Sequence, residues 1–133
     1  MSASKYDFSI EQGSSFKLKL IYKDNKGVPI DITNWCARLV WITNNNLTQS
    51  FVSTNTDLST YKYIIDGPTG SVTLLFPASV TNSFDFETAK YDLELQSDDD
   101  YYSEGGKYTV RLLYGTVKFI KRFSESNNHL ECN

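Results

Sequence analysis

The sequence predicts an all-β protein, an antiparallel β-sandwich of about seven to nine short strands. Three observations lead there. Apolar and polar residues alternate with a period of two, most cleanly where Phe16, Leu18, Leu20 and Tyr22 interleave with Lys17, Lys19 and Lys23; that is the period of a half-buried strand. Turn-forming clusters such as Asp24-Asn25-Lys26-Gly27 and Gly67-Pro68-Thr69-Gly70 recur at short intervals. Nine Tyr and eight Phe in 133 residues suit a pleated surface packed on one side, and almost no stretch carries helical periodicity.

Taken in order, residues 6–12 read as the first strand, and Gly13-Ser14 as the turn or bulge that ends it. Residues 16–23 form the second. Pro29 has no amide hydrogen, so residues 28–32 are expected as an edge segment or an ordered loop. In residues 35–43, Ala37, Leu39 and Trp41 share one face, while Cys36, Val40 and Ile42 share the other with Arg38. Apolar groups on both faces indicate a central strand or one covered by a neighbouring subunit. A weaker strand covers residues 48–54, a better patterned one residues 60–66, and another residues 71–76, closed by Pro77. Residues 78–86 read as a connection with one short helical turn. In residues 89–96, Tyr91, Leu93 and Leu95 oppose Asp92, Glu94 and Gln96. A polar loop follows over residues 97–106. Residues 107–114 and 116–123 then form two closing strands, or one kinked strand, about Gly115.

The length suits one domain. We place a single sandwich at residues 1–123. The polar, patternless residues 124–133 form a tail expected to be ordered by partner contacts. The net charge of −3 lacks the basic excess of a nucleic-acid binder, so no nucleic-acid partner is expected. No apolar run approaches the roughly 18 residues of a membrane span, and the start of the chain shows no signal pattern. Neither a membrane nor a secreted location is therefore expected, and Asn46-Leu47-Thr48 is read as a chance glycosylation triplet.

The chemistry-bearing residues are sparse. His129, the single histidine, lies in the tail, away from the rigid partners that acid–base catalysis needs. Asp98-Asp99-Asp100 lacks the alternating ligand spacing of a calcium loop and reads as a solvated acidic loop. Cys36 and Cys132 have no metal or redox spacing; Cys36 reads as a small buried hydrophobe, with a bridge to Cys132 as the alternative. Trp35 and Trp41 are expected in the core. No enzyme activity, cofactor or metal is expected. The candidate contact residues are Tyr101 and Tyr102 beside the Gly105-Gly106 tip, and Lys118, Lys121, Arg122 and His129 late in the chain. Basic residues there follow an acidic stretch running from Asp92 to Glu104. This pattern fits solvated strand faces, or complementary patches that dock one copy on another.

Several segments together resemble one family of small tailed-phage virion proteins. They are Ile10-Glu11-Gln12-Gly13-Ser14-Ser15-Phe16, then Asp24, Gly27, Pro29-Ile30-Asp31-Ile32-Thr33 and Ala37-Arg38, then residues 70–76, Tyr91-Asp92-Leu93-Glu94-Leu95, and Val110-Arg111-Leu112-Leu113-Tyr114-Gly115-Thr116-Val117. Asn34-Trp35 stands where the family carries Gly-Tyr. The resemblance covers most of the chain in the right order. It implies an immunoglobulin-like sandwich with no catalytic residues, acting in a virion as an adaptor or anchor of the tail, baseplate or fibre attachment. The implied partners are other virion proteins and symmetry-related copies of the chain. A capsid decoration protein or head-fibre anchor, and a carbohydrate-binding adsorption module, are the alternative readings.

Overall fold

A computed structural model describes residues 3–55, 60–98 and 105–122. Nine strands follow in order: β1 Ser4–Lys5, β2 Phe8–Glu11, β3 Phe16–Ile21, β4 Cys36–Thr43, β5 Thr48–Val52, β6 Lys62–Asp66, β7 Ser71–Phe76, β8 Thr88–Gln96 and β9 Thr109–Ile120. One helical turn and a half, α1 at Ala78–Ser83, links β7 to β8. The strands form two sheets. The larger has the order β1-β9-β8-β4-β5, with β2 also paired to β9; the smaller has the order β3-β7-β6. A β3-β7-β6 sheet facing β9-β8-β4-β5 is the immunoglobulin arrangement.

The period of two places the core as expected. Leu18 of β3, Leu39 and Trp41 of β4, Leu74 and Phe76 of β7, and Tyr91 and Leu93 of β8 meet between the sheets. Trp41 is fully buried, its ring 4.8 Å from Phe51, 5.3 Å from Phe86 and 5.4 Å from Phe84. Its indole N–H donates to Oε1 of Gln49 at 2.7 Å, which satisfies the one polar atom this side chain brings inside. A second cluster, with Tyr22, Ile32, Ala37, Val72, Leu95 and Val110, fills the other end of the sandwich.

The sandwich is antiparallel as expected, except along one edge. β1 and β2 run parallel to β9, with Ser4 opposite Leu113 and Ile10 opposite Phe119. Alternation reports which face a strand buries, not which neighbour it takes. The first strand is also broken in two, at Tyr6-Asp7. There the Asp7 carboxylate accepts from the Thr116 amide at 2.9 Å, in place of a backbone carbonyl. Gly115 lies opposite this break; a Cβ at Gly115 would run into the Tyr6 carbonyl oxygen. The two closing strands are accordingly one continuous strand, β9.

β9 also bulges. Leu113 pairs with Leu93 but Arg111 pairs with Glu94, so Leu112 is the extra residue. The bulge lets adjacent Leu112 and Leu113 both pack inward, each against a different core cluster.

Residues 28–32 are an ordered loop rather than a strand. A single bridge joins Lys23 to Pro29, and the Ile30 amide donates to the Tyr22 carbonyl at 2.9 Å. The Asp24 carboxylate accepts from the amides of Lys26 and Val28, which closes the turn before it. Ile32 is fully buried and anchors the loop. Next to it, two hydrogen bonds from Thr33 hold the Asp31 carboxyl below its usual pKa.

Cys36 differs from expectation as well: it is half-buried and free, on the side of β4 that faces away from the core. Cys132 lies outside the described residues. Trp35 is half-buried rather than central; it packs on the second cluster between the rings of Tyr22 and Tyr108.

Candidate docking surface

The outer face of the larger sheet is built in rows, because directly paired residues point the same way. Cross-strand pairing places Arg38, Glu94 and Arg111 in one row, Val40, Asp92 and Tyr114 in the next, and Ile42, Lys90 and Thr116 in a third. Arg38 donates to Glu94 at 2.5 Å, and Arg111 to Asp92 at 3.1 Å while its guanidinium lies 5.0 Å from the Tyr114 ring centre. Beside these ion pairs lie exposed apolar groups: Ile42 is 53% and Tyr114 38% exposed. The face thus combines fixed charges of both signs with apolar area. A cleft of about 340 Å³ borders it where Cys36, Arg38, Glu94 and Lys107 converge. The Glu94 carboxylate there is engaged by the Arg38 guanidinium.

A second cluster gathers at one pole. The Arg122 amide donates to Oε1 of Gln12 at 2.9 Å, and its guanidinium donates to Oδ1 of Asn82 at 3.3 Å. The Gln12 side-chain amide in turn donates to the Asn82 carbonyl at 3.1 Å. Lys121 reaches Asp85 at 3.4 Å. Beneath them, fully buried Thr81 of α1 accepts from the Gly13 amide and donates to the Ser14 carbonyl, tying the β2–β3 turn to the helix.

The expected contact residues therefore divide. Lys121 and Arg122 belong to this pole. Lys118 lies apart from them, exposed on the outer face of β9 between Ser9 and Thr88. Tyr101, Tyr102 and His129 lie outside the described residues, as do Asp99, Asp100 and the tail 124–133. Among the described residues, no three His, Cys, Asp or Glu side chains gather to hold a metal ion, and no helix is long and apolar enough to cross a membrane.

Sequence reasoning missed the rows of the outer face. Val40 and Ile42 were visible as apolar residues sharing a face with Arg38, but their neighbours were not, since pairing register is not written in the period. No protein-family model matches the chain, and no curated protein matches it either.

Proposed function

We propose that this protein is a non-enzymatic structural component of a tailed-phage virion, an adaptor or anchor near the tail, baseplate or fibre attachment that works by docking against other virion subunits. One observation carries the reading: several of the residues through which the sequence resembles that family fall on the joints of the fold. Gly13 makes the β2–β3 turn with a φ of 78°. Ile32 plugs the loop before β4, Tyr91 braces the first strand, and Gly115 gives the close approach that lets that strand lie beside β9. A pattern made of joints describes a rigid body, and rigid bodies with faces of mixed charge and apolar area suit repeated subunit contacts.

Particle imaging tests this proposal. A few to a dozen copies at the tail are expected; hundreds on the head would replace the tail assignment with the decoration reading, and absence from purified particles would end both. Deleting residues 124–133 should leave the domain folded yet reduce its incorporation. Normal incorporation of the truncated chain would exclude the tail as an anchoring arm.

A further inference from the structure

We infer that the free edge of β3 is a strand-addition site for an extended segment of a partner protein in which acidic residues alternate with apolar ones. Among the described residues the edge is open, because the first strands lie beside β9. In the usual sandwich the opening strand flanks the second; here, among the described residues, β3 pairs with β7 alone. The Tyr22 amide donates to the Gly70 carbonyl at 2.9 Å, which sets the alternation of the ladder. Leu18 and Leu20 therefore exchange hydrogen bonds with β7, and the backbone N–H and C=O groups of Lys17, Lys19 and Ile21 point outward. None of them meets a partner among the described residues.

Charge selects the occupant. Lys17 and Lys19 are exposed and form no ion pair among the described residues. The residues across the sheet from them are Leu75 and Lys62 in one row, and Thr73 and Ile64 in the next. An added strand would set its outward side chains directly beside these two lysines, where opposite charges stabilise and like charges destabilise. Its inward side chains would need to be apolar. They would enter at the margin of the core, where a groove of about 210 Å³ separates the edge from β9 and is lined by Leu20, Tyr22, Val110, Leu112 and Leu113. Edge lysines also discourage an unselected strand from pairing, so one feature both protects the edge and chooses its partner. The edge offers this whether or not the protein belongs to a virion, so the imaging above and the experiment below fail independently.

The probe is a soluble synthetic peptide of alternating Glu and Val, with a Lys–Val peptide as control. Amide hydrogen exchange of the intact protein should slow at Lys17, Lys19 and Ile21 when the Glu peptide is added, and stay unchanged with the Lys peptide. Lys19→Pro removes an outward donor without breaking a bond to β7; it should keep the fold and weaken binding about tenfold, the loss of about one hydrogen bond. The double variant K17E/K19E should exchange the two peptides' roles, and serves alone if the proline variant unfolds. Protection on β5 or β6 instead, equal binding of both peptides, or no binding at millimolar peptide would overturn the proposal. Protection of the β3 amides by raising the concentration of the protein alone would show a second copy as the occupant, and would overturn the assignment to a different partner.

Discussion

The hydroxyl of Tyr91 donates to the carbonyl oxygen of Tyr6 at 2.5 Å, across 85 residues of sequence. Tyr6 occupies the break between β1 and β2, where its carbonyl has no strand partner. Tyr91 is buried on β8, directly opposite Gly115. The bond therefore joins three consecutive strands of the larger sheet at the point where the first one kinks. Tyr91→Phe should lower stability by about 1–3 kcal/mol, since it leaves a shielded carbonyl unsatisfied. Denaturant melts of the two proteins check this, and an unchanged midpoint would show that water replaces the hydroxyl.

Gly115→Ala tests the same joint from the other side. The methyl group would meet the Tyr6 carbonyl, so the first strand must shift or detach. The expected loss is about 1–3 kcal/mol, the range for added groups that force the backbone to shift. Hydrogen exchange should show faster opening of residues 4–11 than in the parent protein.

Alkaline pH should weaken the fold. Burial raises the pKa of Tyr63 and of Tyr91 well above the ordinary 10.0; at Tyr91 the neighbouring charge of Asp7 adds to this. Both hydroxyls donate to backbone carbonyls, Tyr63 to that of Phe51 at 2.8 Å. The folded protein keeps these protons where the unfolded chain releases them. Their contribution is thus full below pH 10.0 and declines as pH rises above it. Chemical denaturation at pH 9 to 11.5 should reveal the decline, and a Y63F/Y91F variant should show a shallower one. Equal slopes would exclude these two residues as its source.

Trp41→Ala should cost about 3–5 kcal/mol, as for other large buried aromatic residues. Total stability of a domain this size is about 5–15 kcal/mol, so the variant lies near the limit of folding; thermal circular dichroism reads it. Glu94→Gln, by contrast, removes an ion pair on the open face, with Arg38 54% exposed, and should change stability by less than about 1 kcal/mol.

Much of this fold was legible because its strands bury one face. The residues 71–76 strand matches β7 end to end, and Tyr91, Leu93 and Leu95 point inward as their alternation requires. The hidden features all depend on residues distant in sequence. Nothing local to residues 4–11 says that they lie parallel to β9. Nothing near Tyr91 names Tyr6 as its acceptor. The bulge did leave a trace: the adjacent Leu112 and Leu113 break the alternation that Val110 and Arg111 begin, and an extra residue is the simplest repair. Cys36 misled because an apolar neighbourhood in sequence is not an inward direction in space. The rows of the outer face, like the open edge of β3, emerge only from register.

The parallel seating of β2 against β9 also governs how the domain bears load. Tension drawn through the chain across these two strands acts along their axes in opposite senses, so the hydrogen bonds between Phe8–Glu11 and residues 117–120 are strained together rather than one after another. Shear of this kind resists pulling far better than the sequential opening of a hairpin. A body stitched this way holds its shape under traction, with the Tyr91 hydroxyl acting as a pin beside the seam.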